Sequence, residues 1–259
     1  MSKLNRACAA AVVVCGVLAA AMPGWGAETS VGGVNGQAAR GKQLYRRYCV
    51  GCHGAKGDGQ GDNAPYMDPR PRDFTTGTFK CRSTPTGTLP LENDVFATIG
   101  RGIFASSMPS WKALTAQERA DLLAYVKDFC PRWNEKPQPA LEIPAEPSNT
   151  AESATRGSKI YERMECWKCH GKDGSGNGPS ATTLTDNKDR PIVPYDFSKG
   201  TRFKCGRTNE DLYKIFMTGL DGTPMPSFKD NLSADEAWDL VHYLRTMQTG
   251  VKMQAVVKK

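Results

Sequence analysis

Histidine is scarce: three occur in 259 residues, His53, His170 and His242. A chemistry that calls for several imidazoles at each of two centres is therefore excluded. Long apolar runs are scarce too. Hydrophobic residues make up 39% and the mean hydropathy is -0.50, which excludes a chain that crosses a membrane many times. The net charge is +7, yet there is no basic run and no nucleic-acid-binding signature, so a nucleic-acid partner is excluded. Convincing strand alternation is missing, as is any βαβ pattern. The apolar spacing that is present is helical, and a mainly α fold is expected. The 26 glycines and 17 prolines indicate many loops and a small core built around more than side chains.

The N-terminus reads as an export signal. Lys3 and Arg6 form a basic start, Cys8 to Met22 an apolar stretch, and Gly24-Trp25-Gly26 a small-residue cleavage site before Ala27. The apolar stretch is short of the roughly 20 residues that a spanning helix needs. Cleavage of residues 1–26 is expected, with retention as a membrane anchor the rival. Loss of Lys3 and Arg6 takes the net charge from +7 to +5. A basic surface of this kind could steer an acidic partner.

The rest of the chain repeats itself once. Gly41 and Tyr45 precede Cys49-Val50-Gly51-Cys52-His53-Gly54, and Gly157 and Tyr161 precede Cys166-Trp167-Lys168-Cys169-His170-Gly171. The match continues through Asp73-Phe74 and Asp196-Phe197, then Phe79-Lys80-Cys81 and Phe203-Lys204-Cys205. It ends in Met108-Pro109-Ser110-Trp111 and Met225-Pro226-Ser227-Phe228. Each copy closes on a helix with a capping box, Thr115 with Glu118 and Ser233 with Glu236. Helices are expected over about 38–49, 93–98 and 115–129, with the same pattern in the second copy. Domains are placed at 37–131 and 151–250, joined by a proline-rich linker at 132–150. The tail from 251 is expected to fray.

Cys-x-x-Cys-His is the attachment signature of a c-type haem. Two thiols at this spacing reach the two vinyl groups of one porphyrin. The next residue, histidine, then lies beneath the iron, and the glycine after it lets the chain turn away. A zinc site would need more Cys or His ligands near each motif, and His242 has no equivalent in the first copy. A redox dithiol would need the βαβ context that is missing. Two covalently attached haem c groups are thus expected, on Cys49, Cys52 and His53 and on Cys166, Cys169 and His170.

Three histidines cannot supply both faces of two haems. Methionine is the natural sixth ligand, and it raises the reduction potential. Met108 and Met225 each follow their motif histidine by the same interval and precede a proline that keeps the loop extended. The iron ligands are expected to be His53 with Met108 and His170 with Met225. Met67, Met164, Met217 and Met247 lack matched counterparts and read as packing.

These motifs together resemble a tandem pair of class I cytochrome c domains, of the small bacterial type also found in oxidase-associated dihaem subunits. The resemblance covers nearly all of the chain beyond residue 26. It implies two mainly α domains with long loops, His/Met iron, and single-electron transfer between periplasmic or membrane-bound redox partner proteins. A haem enzyme of peroxidase or thiosulfate-oxidising type, with one labile axial methionine, is the alternative. One extra residue lies between Tyr161 and Cys166. It is expected to shift the first helix of that copy slightly.

Cys81, Cys130 and Cys205 remain. In an oxidising compartment thiols pair, and Cys81–Cys205, Cys81–Cys130 and thiolate ligation of a haem all stay open. Arg82 and Arg207 suit either a haem propionate or solvent. Trp111 and Phe228, beside the methionines, are expected to wall the haem pocket.

Overall fold

The computed structural model describes residues 28–200 and 202–249. The expected export signal and the tail from 251 lie outside them. The helical periodicity becomes α1 (Ala38–Tyr48), α2 (Val50–His53), α3 (Glu92–Arg101) and α4 (Ala116–Lys127) in the first copy. In the second it becomes α5 (Ala151–Arg163), α6 (Trp167–His170), α7 (Asn209–Thr218) and α8 (Ala234–Thr249). The molecule is mainly α, as the spacing predicts. Among the described residues, no helix is long and apolar enough to cross a membrane.

Each half is organised by one close helix crossing. A Cβ at Gly41 would stand 1.9 Å from the Asp121 carbonyl oxygen on α4, and one at Gly157 would stand 2.0 Å from that of Asp239 on α8. Here glycine is required by backbone approach, not by a turn. The preceding arginines reinforce both crossings, Arg40 pairing with Asp121 at 3.3 Å and Arg156 with Asp239 at 2.6 Å. The predicted apolar positions Leu122, Leu123 and Val126 join Tyr45 and Ile99 in the first core. Trp238, Val241 and Leu244 join Tyr161 and Phe216 in the second.

Both predicted capping boxes form. Thr115 Oγ1 accepts from the Glu118 amide at 3.2 Å, and the Thr115 amide donates to Glu118 Oε2 at 2.8 Å. Ser233 and Glu236 do the same at 3.2 and 3.0 Å. Thr115→Ala should therefore lower the unfolding free energy by about 1 kcal/mol. Chemical denaturation of the full chain checks this, and an unchanged midpoint would rule the cap out as a stabilising element.

Strand structure was not expected, but a short antiparallel hairpin precedes α1. β1 (Thr29–Val31) pairs with β2 (Val34–Gly36), with Val31 opposite Val34. Three residues per strand are too few to show alternation in a sequence. Tertiary contacts hold the hairpin: Val31 enters the first core, and Gln117 Nε2 on α4 donates to the Asn35 carbonyl at 2.7 Å.

The proline-rich segment is extended, with helix limited to a 3-10 turn at Pro131–Asn134. It is strapped to both halves. The Leu141 amide donates to the Ser83 carbonyl at 2.6 Å, and Trp238 Nε1 donates to the Pro144 carbonyl at 3.2 Å. Leu141 and Ile143 pack on the second core. A Cys81–Cys205 disulfide, 124 residues apart in sequence, then joins the halves directly and settles the open pairing. Cys130 is left buried and unpaired.

Candidate functional site

The first Cys-x-x-Cys-His run sits where α1 gives way to α2. The Cys49 amide continues the helical bonding to the Tyr45 carbonyl at 2.8 Å, and the one-turn helix α2 then ends at Gly54. Gly54 has φ +76°, and its counterpart Gly171 has φ +77°. The left-handed turn expected after each histidine is present, and it suits glycine. The Tyr45 hydroxyl donates to the Gly54 carbonyl at 2.8 Å, and Tyr161 to that of Gly171 at 2.6 Å. These buried bonds tie the first helix of each half to its motif.

In the second copy the first helix ends at Arg163, two residues past Tyr161, where α1 runs three past Tyr45. Glu165 takes up the extra residue in a left-handed conformation, φ +55°, and the Cys166 amide still reaches the Tyr161 carbonyl at 3.1 Å.

Each histidine is fixed by its surroundings. His53 Nδ1 lies 3.0 Å from the Arg72 carbonyl and His170 Nδ1 3.0 Å from that of Tyr195. A carbonyl accepts only, so Nδ1 carries the proton and Nε2 keeps its lone pair for a metal. Burial lowers the pKa of both imidazoles, which favours this neutral form. Phe74 stacks on His53 with ring centres 4.4 Å apart, and Phe197 lies against His170 at 4.9 Å. Burial pushes the Cys49 and Cys166 thiols up to about 12, so they are thiols rather than thiolates near neutrality.

The methionine loops are built alike. The Met108 carbonyl accepts from the Ile103 amide and the Met225 carbonyl from the Leu220 amide, both at 3.1 Å. The following serines reach back to the preceding helices, Ser110 Oγ to the Gly100 carbonyl at 2.6 Å and Ser227 Oγ to that of Met217 at 2.7 Å. Gly102 and Gly219, at φ +72° and +71°, turn each chain off its helix to allow this.

In the first half Cys49, Cys52, His53 and Met108 all line one cavity of about 370 Å³. Its wall is mostly apolar and includes Phe74, Phe79, Ile99, Val126 and Trp111. This volume and lining are those of a cofactor site. In the second half Cys166, Met225, Trp167 and Phe228 pack on the core that contains Phe197, the partner of His170. Both donor sets fit a covalently held haem: a paired thiol, a tautomer-fixed imidazole and a thioether on a braced loop. Among the described residues, no group of three or more His, Cys, Asp or Glu side chains is placed to hold a metal ion.

The two arginines differ in setting. Arg82 is buried between the halves and is not among the residues that line the first cavity. It donates to the Thr218, Phe79 and Pro85 carbonyls and pairs with Asp221 at 2.9 Å. Arg207 is exposed. Met67, read as packing, lines the first cavity, as do Arg70, Arg72, Lys80 and Lys204. Sequence reasoning missed these four cations; Lys204 joins the three of the first half only through the way the halves dock.

Comparison with known proteins places both halves among cytochrome families. The family model described as cytochrome c oxidase, cbb3-type, subunit III matches residues 36–126, and that described as cytochrome c matches residues 154–248. A cytochrome bc1 complex cytochrome c subunit from Corynebacterium diphtheriae is 25% identical over 207 residues, which is 80% of this chain. The chain spans 65% of that relative's length. A chain from the Kuenenia stuttgartiensis reducing HAO-like protein complex is 42% identical, with a TM-score of 0.79 over 82% of this chain and 96% of its own.

Proposed function

We propose, for a chain that belongs to the c-type cytochromes, that it carries two covalent haem c groups and passes single electrons between partner proteins outside the cytoplasm. Electron transfer by covalently bound haem c follows from the family. The number of haems, their ligands and the partners are our reading. Cys49 and Cys52 would bind the first haem, with His53 and Met108 on its iron. Cys166 and Cys169 would bind the second, with His170 and Met225. When bound, haem c supplies an iron that exchanges one electron between the ferrous and ferric states.

The observation that carries this reading is the repetition of one braced geometry in both halves. The carbonyls of Arg72 and Tyr195 orient the imidazoles. In each half one serine-to-helix bond holds the methionine loop just beyond the ligand. A ligand loop held in this way resists displacement, which favours electron transfer over substrate chemistry at the iron. The relatives named above come from a bc1 complex and an HAO-like complex. We propose that this chain likewise serves as an electron-transfer subunit or shuttle for a larger redox assembly, acidic or membrane-bound, reached after export to the periplasm.

Absorption spectroscopy of the purified holoprotein tests the reading. Two haems per chain, a long-wavelength ferric band from sulfur on iron and no binding of carbon monoxide are expected. One haem per chain, or ready carbon monoxide binding by the reduced protein, would overturn it and favour a haem enzyme.

A further inference from the structure

The duplication predicts one lysine per cofactor, because Lys80 in Phe79-Lys80-Cys81 is matched by Lys204 in Phe203-Lys204-Cys205. The fold does something else. The Cys81–Cys205 disulfide joins the two segments, and both lysines line the cavity of the first half. Lys204 comes from the second half, and its Nζ donates to the Ala105 carbonyl at 3.4 Å, on the loop that leads to Met108. Arg70, Arg72 and Lys80 stand between this cavity and a second one of about 330 Å³, lined by both halves.

Among the described residues, the side chains of Arg72 and Lys80 make no hydrogen bond or direct ion pair; the carboxylates around the cluster, Asp186, Asp73 and Asp221 near Arg72, Asp186 near Lys80 and Asp68 near Lys204, act at longer range. Burial, with Arg72 and Lys204 beside it, pushes the Lys80 ammonium down to about 8. Partly buried like charges at the edge of an apolar cavity are costly unless an anion meets them. The site is therefore complementary to carboxylates entering from the cavity.

We propose that Lys204, together with Arg72 and Lys80, holds the propionate carboxylates of the first-half haem, so that this cofactor is bound across the domain interface and its reduction potential is set in part by the second half. This rests on the two-haem reading above. The shared chemistry is that of an anion, and a free oxyanion such as phosphate is the other source.

Equilibrium redox titration of the full-length holoprotein decides, with the first-half component assigned as the one altered in Met108→Ala. Lys204→Met removes a cation that offsets carboxylate charge beside the iron. It should shift that haem's reduction equilibrium about tenfold toward the oxidised form, or about 59 mV for one electron. The other haem should stay where it is, and Lys204→Arg should restore the first. Lys80→Met should act in the same direction and serves if Lys204→Met does not fold. Added phosphate at constant ionic strength should leave the wild-type potentials unmoved.

If both lysine variants keep two haems and both sulfur-to-iron bands but neither potential moves, the inference fails while the functional reading stands. A saturable phosphate-dependent shift in the wild type that Lys204→Met abolishes would also overturn it, by assigning the cations to a free anion. A wild-type protein with one haem would instead sink the functional reading.

Discussion

Met108→Ala should remove half of the long-wavelength ferric absorbance, make one haem per chain bind carbon monoxide, and lower the potential of that haem alone. Met225→Ala should do the same to the other half. A thioether donates weakly and favours the reduced iron, so its loss lowers the potential. The loops give the effect its size. Met108 is held by the Ile103 amide at its carbonyl, and its own amide donates to Ser106 Oγ at 3.2 Å. Truncating the side chain leaves that frame in place, so the position opens instead of collapsing.

One rival donor lies near. Met67 lines the same cavity as Met108. It follows the 3-10 turn Ala64–Tyr66, and Leu184 follows the matching turn Ala181–Thr183 in the second half. A leucine cannot ligate iron, so the repeat marks position 67 as wall. Met67→Leu should leave both sulfur-to-iron bands intact. If Met67→Leu removes a band and Met108→Ala does not, the axial assignment in the first half is wrong.

What could be read from the chain, and what could not, divides by range. The motifs, the capping boxes and the buried stripe of α4 and α8 depend on residues within a few positions of one another. Repetition also pointed to long-range neighbours that a single copy would hide, such as the first motif and Met108, which line one cavity. The hairpin at Thr29–Gly36 escaped because its strands are too short to show a period. The extra residue before Cys166 was legible as an insertion, but only the backbone shows that Glu165 absorbs it in one left-handed turn. The Cys81 partner, the burial of Arg82 and the convergence of Lys80 with Lys204 all depend on the docking of the halves. No local pattern encodes that docking. Symmetry misleads there, because equivalent residues of a repeat need not serve equivalent sites.

Arg82→Met should cost about 3–5 kcal/mol of stability, the range for removing one partner of a buried ion pair. Its guanidinium is fully buried, while Asp221 keeps 14% of its side-chain surface. Loss of the arginine leaves the Thr218 and Phe79 carbonyls without their donor and strands Asp221, which also accepts from Thr86 Oγ1 at 2.8 Å and the Gly87 amide at 2.9 Å. Those two bonds and its partial exposure place the expected loss nearer 3 than 5 kcal/mol. A double-mutant cycle with Asp221→Asn isolates the pair, and the double variant should be less destabilised than the sum of the singles. The readouts also separate two roles for Arg82. A cation that braces the interface changes the unfolding midpoint and leaves both haem spectra and ligation unaltered. A cation that holds a haem carboxylate would shift one potential at little cost in stability. The bonds to Thr218 and Asp221, contributed by the other half, favour the first outcome. With the disulfide beside it, Arg82 then ties the two halves together, and the proposed reach of Lys204 into the first-half site depends on that tie.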